Sequence, residues 1–277
     1  MGIAIVTGAS SGMGREFVYA LDQENKYDEI WVIARRRDRL KALQTEVKTP
    51  VVPIALDLTK EESFHTYRAL LAAKAPDVQV LVNCSGFGKF GTYKEIDPEV
   101  SCEMIDLNCK ALVRMTEYTL PYMQKGSHVL QLDSLSSFQP VPYIGVYGAT
   151  KAFVLSYSRA LNVELKPRGI KVMAICPGWV KTEFFDRSKT DCTDAVTYYN
   201  VLYEAKDVVA TAMKDMYKPK KDVSIHGLPV KLQVLGVKLL PHKLIMRIWM
   251  KQQKHASFVY FFKKYYKSIY IHAIIKL

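Results

Sequence analysis

No run of about eighteen uncharged apolar residues occurs in this chain, so no ordinary transmembrane helix is expected. The opening MGIAIVTGAS lacks the basic segment of a secretory leader and runs directly into a strand-and-turn pattern. Val6 stands where a myristoylation signal needs Ser or Thr. The five cysteines form no CxxC pair, and their odd number reads as free thiols in a reducing, cytoplasmic setting. None of the six histidines stands at metal-ligand spacing from Cys, Asp or Glu, so no metal site is expected. Internal repeats and low-complexity stretches are also missing. Acidic residues are scarce at one end only. Residues 218–277 hold thirteen Lys and Arg and one acid, Asp222, a net +12 that equals the net charge of the whole chain. The first 217 residues are therefore close to neutral. A basic tail on a neutral body gives no reason to expect nucleic-acid binding by the whole protein.

What is present is a rhythm. Short, β-branched apolar runs at Ile3–Thr7, Ile30–Ala34, Val51–Leu56, Val78–Asn83, His128–Leu132 and Ile170–Ile175 read as strands. Between them, Met13–Asp22, Arg36–Val47, Glu61–Ala73, Cys102–Gln124 and Tyr147–Leu165 carry helical periodicity. Strands that are apolar throughout are buried on both faces, and strand–helix alternation gives right-handed crossovers. The expected fold is α/β: a doubly wound parallel sheet of the Rossmann type with helices on both faces and a helical C-terminal extension. Residues 1–217 make the dinucleotide-binding and catalytic domain and 218–277 the extension, in which Asp222–Ile225 has the character of a last strand. Residues 183–203 are less periodic and follow a strand end, as a loop over a site does. In such sheets ligands bind at the carboxyl ends of the strands.

After the first strand comes Thr7-Gly8-Ala9-Ser10-Ser11-Gly12-Met13-Gly14. Gly8 permits a tight turn, Gly12 lets the backbone approach a pyrophosphate, and Gly14 allows the next helix to pack closely. The helix N-terminus supplies free N–H groups for phosphate. The second strand ends in Ala34-Arg35-Arg36-Arg37. An NAD site usually carries an acid there for the ribose 2′-hydroxyl. Here Arg35 offers a fork for a 2′-phosphate, with Arg15 or Arg36 assisting, and NADP(H) is the expected cofactor. Asp57, after the third strand, has two readings, a bond to the adenine amine or a helix cap.

Tyr147 and Lys151 lie one helical turn apart on one face. Ser134 stands thirteen residues before Tyr147, and Asn108 lies in the preceding helix. Reduction of a carbonyl by hydride needs a proton donor at the oxygen. Tyrosine, with an ordinary pKa of about 10, is a poor one unless a nearby cation stabilises tyrosinate. Lys151 is placed to do that. Ser134 can hold the substrate oxygen, and Asn108 can position a water that relays protons through Lys151.

These motifs, in this order, resemble the short-chain dehydrogenase/reductase family, in its compact single-domain form. The resemblance rests on TGASSGMG, the LDL around Asp57, NCSG at Asn83–Gly86, the Asn in DLNCKAL, the Ser in LQLDSLSS, YGATK, and PGWVKT at Pro177–Thr182, and spans residues 3–182. It implies a catalytic tetrad of Asn108, Ser134, Tyr147 and Lys151. It also implies that Pro177, Gly178, Val180 and Thr182 hold the nicotinamide amide and phosphates, and that Asn83 and Gly86 support the central strand and the ribose region. Two departures stand out: Cys84-Ser85 replaces the usual Asn-Ala, and Ser136 and Ser137 stand beside Ser134. The thirteen-residue spacing selects Ser134.

The activity implied is an NADP(H)-dependent interconversion of a secondary alcohol and a ketone. The first substrate reading is a hydroxysteroid or bile acid; the alternatives are a 3-oxoacyl chain, or a non-catalytic NADP(H)-binding regulator. The extension has three readings: packing on the core or on a second subunit of a dimer or tetramer, a wall for a bulky apolar substrate, or a membrane-surface helix. For the last, Lys263, Lys264 and Lys267 fall on one narrow face of a helical Ala256–Leu277.

Overall fold

The computed structural model of the protein describes residues 2–188 and 195–253. The tail Ala256–Leu277, where the Lys263, Lys264 and Lys267 face was expected, lies outside them, as does Cys192.

Seven parallel strands form one sheet in the order β3-β2-β1-β4-β5-β6-β9. They are β1 (Gly2–Thr7), β2 (Tyr27–Ala34), β3 (Val51–Ala55), β4 (Val78–Asn83), β5 (His128–Leu132), β6 (Lys171–Ile175) and β9 (Val223–Ser224). The order reverses between β1 and β4, and the crevice of a doubly wound sheet opens at such a reversal. β1 is buried along its whole length. Its side chains alternate between two cores: Ala4 and Val6 face one cluster, Ile3 and Ile5 the other. Helices α1 (Gly12–Gln23), α2 (Arg37–Glu46) and α8 (Ala205–Met216) cover the first face. The second is covered by α3 (Glu61–Lys74), the long helix before β5, and α6 (Gly145–Glu164).

The long helix is not uniform. It begins at Pro98 with Asp97 capping Glu99 N–H at 2.8 Å, and runs as α4 (Pro98–Ile105) and α5 (Leu112–Thr119) joined by a π turn over Asp106–Ala111. π turns of this kind concentrate at functional positions, and Asn108 sits in this one. A second, two-stranded sheet pairs β7 (Trp179–Lys181) with β8 (Leu202–Glu204), and α7 (Phe184–Ser188) follows β7. The expected loop over 183–203 thus begins and ends in regular structure.

The expected boundary at 217/218 cuts across the sheet. β9 lies beyond it, yet Ala174 and Ile175 of β6 pair with Val223 and Ser224. Next come α9 (Leu228–Leu239) and a helix over residues 242–253. Gln253 Oε1 accepts from Thr197 N–H (2.9 Å) and Tyr198 N–H (3.0 Å), tying that helix to the segment before β8.

Candidate active site

A cavity of about 370 Å³ lies along the carboxyl ends of the strands. Its lining runs from the glycine turn after β1, past Arg35, Arg36 and Asp57, to Ser134, Tyr147 and Lys151. The glycine turn is shaped by close approach. Gly8 and Gly12 have φ of +68° and +54°, where side chains are strained. A Cβ on Gly14 would stand 2.3 Å from the carbonyl oxygen of Gly8, so any side chain would push α1 off β1. Ser11 begins α1 without a side-chain cap bond, which leaves the first-turn N–H groups facing the cavity. This geometry fits a pyrophosphate, and Ser10, Ser11, Gly12 and Met13 line the cavity beside it.

The arginines divide their work. Arg36 Nη2 donates to Ser11 Oγ (2.7 Å) and Ser10 Oγ (3.0 Å), and its Nη1 to Glu183 (2.8 Å). Arg39 also bonds Glu183. Together they hold that carboxyl down at about 2. Arg35 is half exposed, with one loose ionic contact at 4.0 Å to Asp57. Its guanidinium is therefore the less committed of the two. Arg15 turns away to Glu46 at 2.6 Å. Asp57 accepts from Thr59 N–H (3.0 Å) and Thr59 Oγ (2.8 Å) while lining the cavity. It thus closes a local turn and caps no helix, since α3 starts after Lys60.

Ser134 and Tyr147 meet at the other end. Ser134 follows β5, accepts from Ser136 N–H at 3.2 Å, and lies close enough to the Tyr147 hydroxyl to influence its titration. Burial raises the Tyr147 hydroxyl well above the usual tyrosine range, and Ser134 opposes this. Lys151 is buried, its Nζ donating to Leu132 O at 2.7 Å and lying 5.7 Å from the Tyr147 ring centre. Burial lowers the pKa of Lys151, and neighbouring Asp133 opposes this only in part. Burial is thus the largest influence on the Tyr147 hydroxyl. Ser136 also lines the cavity, and Ser137 bonds Ser134 O at 2.6 Å.

Asn108 stands behind the cavity. Its Nδ2 donates to Phe87 O (2.8 Å) and Thr150 Oγ (3.0 Å), and its Oδ1 accepts from Phe87 N–H (3.0 Å). All these bonds go to protein, so the side chain anchors the segment after β4 to α6. Gly86 lines the cavity in front of it, where a Cβ would meet Asn108 Oδ1 at 2.8 Å. Asn83 ends β4. It is buried outside the cavity lining, with Nδ2 on Thr116 Oγ and Gln131 Oε1, both at 3.0 Å. It joins β4, β5 and α5, and the following Cys84, Ser85 and Gly86 line the cavity. Pro177, Gly178, Val180 and Thr182 all line the cavity.

Three participants carry no sequence signal. Asp133 directly precedes Ser134, is buried, and accepts from Cys176 Sγ at 3.1 Å; burial pushes it up to about 7. Phe184 packs its ring 5.4 Å from that of Tyr147. Trp249, from the helix over 242–253, lines the cavity and donates to Pro142 O at 3.0 Å. With Phe90, Trp179, Phe185 and Tyr199 these rings make an aromatic wall beyond Tyr147. Among the described residues no His/Cys/Asp/Glu group is arranged to hold a metal, and no helix is long and apolar enough to cross a membrane. Cys84, Cys102, Cys109 and Cys176 are free thiols.

The family model of short chain dehydrogenases matches residues 2–193, and the chain belongs to that family. An uncharacterized oxidoreductase of Staphylococcus epidermidis is 31% identical over 207 residues, covering 71% of this chain and 89% of that one. The very-long-chain 3-oxoacyl-CoA reductase of Bos taurus is 31% identical over 191 residues, covering 65% of this chain and 60% of that protein. Among solved structures, a short-chain dehydrogenase from Sphingobium yanoikuyae in complex with NADPH superposes with a TM-score of 0.73 at 27% identity, over 86% of this chain and 94% of that one. The protein is thus an oxidoreductase of the short-chain dehydrogenase class.

Proposed function

We propose that the protein interconverts a secondary alcohol and a ketone with NADP(H). The observation that carries this reading is the meeting of Ser134, Tyr147 and Lys151 at one end of a cavity whose other end is the glycine turn and Arg35. A nicotinamide dinucleotide would supply the hydride. Gly12, Met13 and the N–H groups opening α1 hold its pyrophosphate, Arg35 pairs with the 2′-phosphate, and Thr182 holds the nicotinamide end. Ser134 donates to the substrate oxygen. Tyr147 then gives that oxygen its proton. Tyr147 carries its proton at neutral pH, the form that ketone reduction requires, and a nearby positive charge eases the release of that proton. Lys151 holds positive charge behind the tyrosine and returns a proton to it, while Asn108 fixes the wall of the passage.

The aromatic wall favours a ketone with a large apolar flank. A hydroxysteroid or bile acid is the first reading, since a rigid apolar body fills such a wall and an anionic end meets the basic extension. A 3-oxoacyl chain is the second, favoured by the likeness to the 3-oxoacyl-CoA reductase. The complete Ser134, Tyr147 and Lys151 group supports catalysis over a purely regulatory role. NADPH oxidation with steroid ketones, oxo bile acids and 3-oxoacyl thioesters tests the reading. Turnover with one class supports it, and no turnover with any class overturns it.

A further inference from the structure

Helix α9 is apolar on two opposite sides. Val230, Val234 and Val237 are buried against the body, and Val230 stands over Gly178. Leu228, Leu232, Leu235 and Leu239 point outward and are 67%, 58%, 55% and 75% exposed. At 3.6 residues per turn these four leucines fall within an arc of about 60°, so they form one continuous stripe. The next helix extends it: Leu244 and Ile248 are exposed one turn apart, while Ile245 and Gln253 are buried. A helix that is apolar all round normally has a partner on every side. Here one side has none among the described residues.

The charge around the stripe identifies the partner. Lys231 flanks the leucines on one edge of α9, where Lys238 instead lays its ammonium over the Phe138 ring at 5.3 Å, and Lys243, Arg247 and Lys251 follow on the next helix at four-residue intervals. From residue 223 to the end of the chain there is no Asp or Glu. A second copy of this face would bring like charge against like charge, which opposes symmetric pairing. A surface that is apolar within and anionic at its rim matches both parts. Lysine stems lie along apolar surface while their ammonium groups reach outward to phosphate. We propose that α9 and the helix over 242–253 form a docking face for an anionic phospholipid bilayer, with the leucines in the acyl boundary and the basic residues at the headgroups. The inner sides of the same helices carry Gln233 and Trp249 into the cavity. The docked face would therefore lie against the wall of the cavity that receives the apolar substrate. The proposal is independent of which ketone is used.

The test uses the full chain and sedimentation with vesicles of phosphatidylcholine mixed with phosphatidylglycerol, against pure phosphatidylcholine. Binding to the anionic vesicles, weakened by salt, is expected. Leu232→Ser with Leu235→Ser, both on the exposed side, should weaken it about tenfold or more, and Lys231→Glu with Lys243→Glu should do the same. NADPH binding and the circular dichroism spectrum should remain as in the wild type. Three results would overturn the proposal. One is no vesicle binding by the wild type. Another is unchanged binding by both variants, which would move the contact elsewhere in the chain. The third is a wild-type dimer that the serine variant converts to monomer without any vesicle binding, which would make the stripe a subunit contact.

Discussion

Replacing Arg35 by Ala separates the two nicotinamide cofactors. Arg36 is held by Ser10, Ser11 and Glu183, whereas among the described residues Arg35 has only the 4.0 Å contact with Asp57. A 2′-phosphate therefore meets in Arg35 a guanidinium that gives up little to bind it. A charge-assisted hydrogen bond is worth about 1.5–3 kcal/mol. Arg35 is about half exposed, so water screens the pair and the lower end applies. About 1.5 kcal/mol is roughly a tenfold loss in affinity. NADH has no 2′-phosphate, and its affinity should change by less than about twofold. Loss of the cation also leaves the Asp57 carboxylate without its counter-charge, which acts in the same direction, since a carboxylate disfavours a phosphate. Titration of nicotinamide fluorescence for both cofactors reads the two dissociation constants. Equal weakening of NADPH and NADH would refute the assignment of Arg35, and a selective loss on Arg36→Ala instead would move the role one residue along.

Gly14→Ala places a methyl group 2.3 Å from Gly8 O and should cost about 3 kcal/mol, visible as a fall of several degrees in thermal midpoint together with weaker binding of both cofactors; an unchanged midpoint would show that the turn yields freely. Asp133 prefers its proton in the folded state up to about pH 7, while in the unfolded chain it ionises at the ordinary aspartate value. Its burial therefore costs nothing at low pH, and the cost grows as pH rises to about 7, with a ceiling of about 4 kcal/mol at roughly 1.36 kcal/mol per pH unit. Asp133→Asn should raise the thermal midpoint at pH 8 and leave it nearly unchanged at pH 4; parallel pH curves for the two proteins would contradict this. Trp249→Ala opens the aromatic wall and should raise KM for a bulky ketone about tenfold, equal to about 1.4 kcal/mol, with little change for a small one. Equal effects on both substrates would place Trp249 in folding alone.

The sheet, its helices and most of the cavity lining were legible in the sequence because they follow local rules. Buried parallel strands leave unbroken apolar runs such as Ile3–Thr7, and a glycine turn between strand and helix marks its own place. Tyr147 and Lys151 share a helix face by spacing alone. What was missed depends on contacts between distant segments. Glu183 meets Arg36 and Arg39 across more than 140 residues, and Trp249 reaches Pro142 from the far end of the chain. No periodicity reports such pairs. Motif order names Asn83 without saying where its side chain points; the strand register turns it into the interior toward Gln131. The π turn at Asp106–Ala111 shifts the helical register by one residue locally, which a window of apolar periodicity averages away.

The proposed chemistry turns on Tyr147 as the proton donor in an NADPH-linked reduction. Stopped-flow measurement of NADPH binding, followed by turnover with an apolar ketone, should be run on the wild type and on Tyr147→Phe. The phenylalanine keeps the ring against Phe184 and removes only the hydroxyl. NADPH affinity should be nearly equal in the two proteins, and turnover should fall by about 10²–10⁴-fold, the usual worth of a positioned acid. A variant that keeps a tenth of the wild-type rate would show that another group supplies the proton and would contradict the assignment.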